Sequence, residues 1–328
     1  MYWSFGQTTA AGATAERGPG REATRAYLGA RPALVSVHEQ AGAERIHHPD
    51  DVRYTRHQSV PDLMALLGVL GGGLLPGTSG VVAAVIAPMP YYRRFKPAGA
   101  PIDPAACGRV IRERNLELLD SCARFRSGHP PSAGLPLPAL MADPFREAAA
   151  FATDYAGRLG EVFALKWHPS AAERSVATFV ERGYLDLAAD LGVPTLLHCP
   201  PDGDLGDLAE IAATAVPAAA AAGARTLLVH PGADSPVLPR LLGGPGVFAA
   251  PRAAGSEAGL VRLLAAHGER LAVSFDAPWH LPYRDGACGP GAGTVPAYRR
   301  ILGAPELDGT DPHPLLAGNA LRLLFGAA

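Results

Sequence analysis

The sequence predicts an α/β chain of the (β/α)8, or TIM-barrel, class, and three observations carry that expectation. Short apolar, β-branched runs alternate with helix-like segments along the chain, the pattern of parallel βαβ units. The strand-plus-helix units number eight, more than an open doubly wound sheet usually needs. Four of the runs end in an ionisable residue: Lys166 in VFALKWHP, His198 in VPTLLHCP, His230 in RTLLVHPG and Asp276 in LAVSFDAPWH. In such a barrel the carboxyl ends of the strands converge on one face, where catalytic groups gather.

Residues 1–31 are rich in Gly, Ala, Thr and Arg without clear periodicity and are expected to form an N-terminal extension, a flexible arm. Residues 32–328 are expected to form one barrel domain. Its first strand is Ala33–His38, followed by a long polar loop, Glu39–Ser59, that holds IHHPDDVRYTRH. A helix follows over about Val60–Leu70, then a strand over Gly80–Ala87 and a helix over about Pro104–Arg124. The third strand, Leu135–Leu140, is interrupted by prolines. Asp143 reads as an N-cap with Pro144 at the first helical position, opening a helix to about Leu159. Four strands then alternate with helices: Val162–Lys166 before Ala171–Leu191, Pro194–His198 before Leu205–Ala222, Thr226–His230 before Ser235–Leu242, and Val247–Ala250 before Ser256–Gly268. The eighth strand is Leu271–Asp276, and helices near Val295–Leu302 and Pro312–Leu324 complete the chain. Pro169, Pro200, Pro231, Gly232 and Pro278 follow the polar strand ends at once and stop each strand at its rim.

The 328 residues suffice for one barrel of ~250 residues with extensions. Hydrophobic residues make up 48%, enough for a large core. The formal net charge of -2 gives no basic surplus, so neither nucleic acid nor an anionic membrane is an expected partner. The most apolar stretch, Leu63–Leu75, is too short to span a bilayer. The N-terminus lacks the basic and apolar regions of a signal peptide. Cys107, Cys122, Cys199 and Cys288 are widely spaced, as in a reduced, cytoplasmic protein. No Gly-rich dinucleotide fingerprint follows any strand.

His198 and His230 lie 32 residues apart, one βα unit, so both imidazoles reach the same rim. Neutral imidazole suits zinc and its neighbours, and Asp276 adds a carboxylate able to ligate an ion or take a proton from water. The competing reading makes each His an ordinary satisfied polar group at a strand end. Lys166 and His168 are two apart and face the same side of their strand. Lys166 has three roles open to it: carbamylation to bridge two metals, an ammonium for a substrate carboxylate, or an ion pair with Asp276. His168, just before Pro169, has only a loop-shaping role to expect. On the first strand His38 and Gln40 share a side, where an H-x-H pair would chelate an ion but Gln40 is a weak, neutral donor. His47, His48 and His57 in the following loop, and His280 in APWH, are further candidates, each more economically read as a loop residue.

The run of motifs resembles the amidohydrolase superfamily, nearest its amidohydrolase-2-type hydrolases and decarboxylases. The resemblance rests on RERNLELLDSCARF, LPLPALMADPFREAAAFA, ALKWHP, LGVPTLLHC, RTLLVHPG, VSFDAPW and PLLAGNALRLLFG, over roughly Gly80–Gly326. It implies a (β/α)8 fold, His198 as a metal ligand, His230 as a ligand or catalytic imidazole and Asp276 as ligand or base. VSVHEQ is similar to the H-E-H of phosphotriesterase-like members with the second His absent; this departure from H-x-H at Gln40 implies one divalent ion, zinc, on His38, His198, His230 and Asp276 rather than a binuclear centre. The expected activity is hydrolysis of an amide, ester or lactone in a small molecule, with Asp276, His230 and Lys166 as the catalytic set and Lys166 or Arg252 for an anionic group. Non-oxidative decarboxylation is the alternative, with a nuclease third, and a degenerate, metal-free barrel with a binding role is the non-enzyme reading. Oligomeric state is open.

Overall fold

In the computed structural model, residues 20–30, 33–45, 55–74, 81–88, 101–200, 203–253, 256–275 and 294–326 are described. Their strands are β1 (Ala33–Arg45), β2 (Thr55–Gln58), β3 (Val81–Pro88), β4 (Leu135–Met141), β5 (Ala164–Trp167), β6 (Thr195–His198), β7 (Thr226–Val229) and β8 (Val247–Ala250). One sheet holds them in the order β2-β1-β3-β4-β5-β6-β7-β8. β2 runs antiparallel to β1, and the other seven strands are parallel, each joined to the next through helical segments.

Paired residues in a parallel sheet share a face, and the apolar residues divide accordingly. Val35, Val85, Leu137, Leu196, Leu227 and Phe248 belong to one buried cluster. Leu34, Ile86, Leu165, Leu197 and Leu228 belong to another, which packs beneath the helices. The sheet is thus buried on both faces, as its continuous apolar runs require. Leu28 from the Arg21–Gly29 helix and Leu323 and Leu324 from the Asn319–Phe325 helix join the first cluster.

The two edges of the parallel sheet curl toward the segment 271–275. Leu271 bridges Ala249 of β8, Ala272 N donates to Ala249 O at 2.9 Å, and on the other side Val37 N donates to Val273 O at 2.9 Å.

The structure corrects several expected elements. Arg21–Gly29, expected as irregular arm, is a helix whose Leu28 is buried and whose Arg21 guanidinium donates to Leu191 O. The expected Glu39–Ser59 loop begins as a continuation of β1 to Arg45 and ends in β2, a ribbon pairing Gly42 with Gln58 and Arg45 with Thr55. The helix expected over Ala171–Leu191 is three pieces, Pro169–Ala172, Val176–Glu181 and Tyr184–Leu191, broken where Glu173 (φ 53°) and Gly183 (φ 78°) adopt left-handed backbone. Asp143 does not cap a helix at Pro144. Its side chain takes the Phe145 N–H at 3.0 Å in a turn, and the helix starts at Ala148. The prolines of β4 do not weaken it: all seven residues are buried. Pro138 O accepts from Phe163 N toward β5, so both prolines turn their nitrogens to that side, where pairing starts only at Ala139. Cys107, Cys122 and Cys199 are buried free thiols. No helix among the described residues is long and apolar enough to cross a membrane.

Candidate active site

Regular alternation delivers three of the polar side chains. Lys166 lies two residues after Ala164 and opposite Leu196, on the inner face, and only 2% of it is exposed. His168 is two residues further on. His198, two after Leu196, pairs with Val229 on the same face.

Two others reach the site by departures from alternation. Val229 faces inward, so its successor His230 would face the helices in an extended strand; instead His230 takes φ 60°. That conformation is uncommon outside glycine and clusters at functional positions. It turns the ring to within 5.1 Å of His38 and 5.9 Å of His198, centroid to centroid. His38 arrives through a bulge. Ser36 pairs with Ala84 and Glu39 with Ile86, so two residues of β1, Val37 and His38, stand opposite the single Val85. An extra residue of this kind re-aims a side chain. Here Val37 packs in the inner cluster while the His38 ring meets His230. Gln40 pairs with Ala87 on the inner face and Glu39 with Ile86 on the outer.

The rings form a connected group. His168 stacks on His198 with centroids 3.9 Å apart and planes 21° apart. Its Nδ1 accepts from Ala171 N at 3.3 Å, capping the short Pro169–Ala172 helix. Burial drives the His38 pKa well below its ordinary value of 6.5, helped first by Lys166 and then by His230, His198 and His168. His168 is also driven well below 6.5, by burial and then by His198, Lys166 and His230, against a smaller opposing contact with its own backbone. Both imidazoles are neutral at pH 7, and Lys166 acts on each of them. Burial also pushes the neighbouring Cys199 thiol up to about 12, so it is no nucleophile at neutral pH.

Behind the rings, the 271–275 segment is held by side chains. Ser274 Oγ donates to His38 O at 3.0 Å and lies 3.5 Å from His230 Nε2. With its proton on a carbonyl, the hydroxyl can meet Nε2 only as an acceptor. Phe275 N donates to Glu39 Oε1 at 3.0 Å, Ser36 Oγ donates to the same carboxylate, and Ser274 N donates to Tyr298 Oη at 3.3 Å. Burial, with a lesser contribution from Glu39, raises the Tyr298 hydroxyl above its ordinary pKa.

Of the sequence-predicted site residues, His38, Lys166, His198 and His230 come together. Asp276, His47, His48 and His280 lie outside the described residues. His57 sits on β2 opposite Ala43, and Arg252 is exposed just past β8. Sequence reasoning missed Glu39 and Ser274; a charged residue inside VSVHEQ was the available signal for the first. His168 does shape its loop, as expected, and also packs on His198.

Two imidazoles on one tetrahedral zinc, with Zn–N near ~2.0 Å, hold their centroids about 5 Å apart. The His38–His230 pair has that spacing, and the His198–His230 pair is wider. Among the described residues, no group of three or more His, Cys, Asp or Glu is arranged to hold an ion. The donor chemistry, neutral imidazole, therefore fits a metal at one pair, and a full shell needs further donors.

No family model matches the chain, and no curated protein matches it. Among solved structures, it is similar to 2,6-dihydroxybenzoate decarboxylase from Rhizobium, with a TM-score of 0.55 and 13% identity over 89% of this chain and 98% of that one. It is also similar to a protein assigned as a 2-pyrone-4,6-dicarboxylic acid hydrolase from Pseudomonas putida, with a TM-score of 0.51 and 17% identity over 90% and 97% of the two chains. A further protein with that assignment, from Acinetobacter baumannii with citric acid bound, gives a TM-score of 0.52 and 12% identity over 90% and 99%. The chain shares their fold.

Proposed function

We propose that this chain is a closed (β/α)8 barrel of the amidohydrolase type, with 271–275 continuing as its eighth stave, that hydrolyses an amide, ester or lactone bond in a small molecule. The observation that carries this reading is the group of four imidazoles and one lysine gathered from the carboxyl ends of β5, β6 and β7 and from the bulge of β1. His38, His198 and His230, with Asp276, are the residues that would hold one divalent ion, for which zinc suits the imidazole donors. Such an ion supplies polarisation of a carbonyl and acidification of a water.

The chain's own residues do the rest. Asp276 takes the proton of the attacking water as general base. His230, whose Nε2 is turned to Ser274 Oγ, presents Nδ1 as its ligand atom. Lys166 and Arg252 are the cations available to an anionic part of the substrate. Lys166 beside His38 and His168 favours substrates that carry negative charge. Nucleic acid and membranes are not proposed partners, and the proposed location is the cytoplasm.

Elemental analysis of the purified protein, together with a panel of lactones, esters and amides, tests the proposal. About one zinc per chain and turnover abolished by His230→Asn would support it. Two ions bridged by a carbamylated Lys166 would overturn the mononuclear reading, and a protein with neither metal nor turnover would return the barrel to a binding role. Non-oxidative decarboxylation is the second reading, favoured by the likeness to the dihydroxybenzoate decarboxylase and by Lys166 beside the imidazoles. Release of CO2 from a carboxylated unsaturated ring separates it from hydrolysis.

A further inference from the structure

We propose that His168 is a substrate-binding residue and not a metal ligand: its ring is locked in the Nε2–H tautomer by the backbone that follows it, and it donates that proton to a negatively charged oxygen of the substrate. The inference deepens the proposed function, and its first test does not depend on that reading.

The lock is a matter of donors and acceptors. A peptide N–H can only donate, so the Ala171 N–H, 3.3 Å from His168 Nδ1, requires a lone pair on that nitrogen. Ser170 Oγ, 3.5 Å from the same atom, has a hydroxyl proton able to turn to that lone pair. A ring with its lone pair committed on Nδ1 carries its proton on Nε2, where it has nothing to offer a metal and a hydrogen bond to offer an oxygen.

The stacking with His198 points the same way. Lone pairs of imidazole nitrogens lie in the ring plane. Two rings 3.9 Å apart and 21° from parallel direct them side by side, so both cannot converge on one ion ~2.0 Å away. If His198 holds the ion, His168 does not. It lies instead two residues past Lys166, on the same face. An ammonium and a neutral N–H on one wall make a pair of donors suited to a carboxylate or another oxyanion. Unlike the fully buried His38, His168 keeps partial solvent access at the barrel mouth.

The test uses the full chain labelled with 15N-histidine and two-bond 1H–15N correlation spectra. His168→Asn assigns the signal, and because the Asn side-chain oxygen can replace Nδ1 as the cap, its melting temperature should stay that of the wild type. The expected spectrum has a pyridine-like Nδ1 and a protonated Nε2 for His168, in metal-free protein and unchanged after zinc is added. A protonated Nδ1, or loss of the Nε2 proton on zinc addition, would overturn the proposal. Benzoate is the oxyanion probe. It should shift the His168 Nε2 proton downfield, and His168→Asn should weaken its binding roughly tenfold, the scale of one charge-assisted hydrogen bond. Zinc per chain in His168→Asn should equal that of the wild type. No benzoate response at Nε2, or zinc lost from the variant, sinks the assignment. A wild-type protein without zinc but with the expected tautomer would instead remove the metal from the proposed function and leave the role of His168 standing.

Discussion

The wall of the site has two sides built in different ways. From β5 to β7, Lys166 and His198 arrive by plain strand alternation, and backbone ladders hold the strands together. At the seam between β1 and 271–275, the backbone bond from Val37 N to Val273 O is followed past the bulge by bonds to side chains: Glu39 receives Phe275 N, Ser274 bonds His38 O, and Tyr298 receives Ser274 N. A regular wall tolerates change at its rim because its backbone bonds do not involve the side chains. A seam made of side chains loses its closure when one is removed. The comparison teaches that the bulge which aims His38 inward also makes Glu39 structural.

The largest effect expected from this contrast is at Glu39. Glu39→Ala removes the nearer acceptor of the buried Phe275 N–H, leaving Ser36 Oγ at 3.4 Å, and opens a cavity, and should lower stability by ~3 kcal/mol. His198→Ala, on the regular side, should cost less than ~1 kcal/mol. Urea denaturation of both compares them directly; equal losses would erase the distinction.

Acid should act on the seam next. His38 is held neutral in the fold, its pKa well below 6.5 through burial and then Lys166. In the unfolded chain it titrates near ~6.5. Below that pH the unfolded state takes the proton and the folded state does not, so stability falls with pH, at about 1.4 kcal/mol per unit for this one group, and is fully present above it. Denaturation of EDTA-treated protein between pH 7.5 and 5.5 should show the slope, and His38→Asn should flatten it. An unchanged slope would mean that His38 is not held neutral.

A smaller effect separates the two ways a histidine reaches the site. His230 sits at φ 60°, which glycine and asparagine adopt more readily. His230→Asn should keep stability or raise it by ~0.5 kcal/mol while turnover is lost. A destabilised variant would mean that the ring supports the wall rather than straining it.

The smallest expected effect is at Asp143, just past β4. Its Oδ1 takes the Phe145 N–H, its Oδ2 is buried without a hydrogen-bond partner among the described residues, and burial raises its pKa. A carboxyl whose folded pKa is raised supports the fold in acid and loses that contribution as pH rises through the folded value. Asp143→Asn keeps the acceptor and removes the charge, so it should gain a few tenths of a kcal/mol at pH 7 and nothing at pH 3. Paired melts at the two pH values measure it.

What the sequence determined by itself is the set of parallel strands and most of the polar rim. Apolar runs of four or five residues stopped by Pro or Gly specify strands locally, and the period of two then puts Lys166 and His198 on the inner face without knowledge of any distant residue. The helices were legible as helical stretches but not in their breaks, because Glu173 and Gly183 interrupt them through backbone conformation that composition does not display. The tertiary structure alone decided the rest. The bulge at Val37 and His38 exists because β3 supplies one residue where β1 supplies two. Glu39 and Phe275 become neighbours across 236 residues of chain, as do Ser274 and the His38 carbonyl. Periodicity is a property of adjacent residues, whereas register, ring tautomer and the closing seam depend on which partner the fold brings to each donor and acceptor, and no local pattern carries that information.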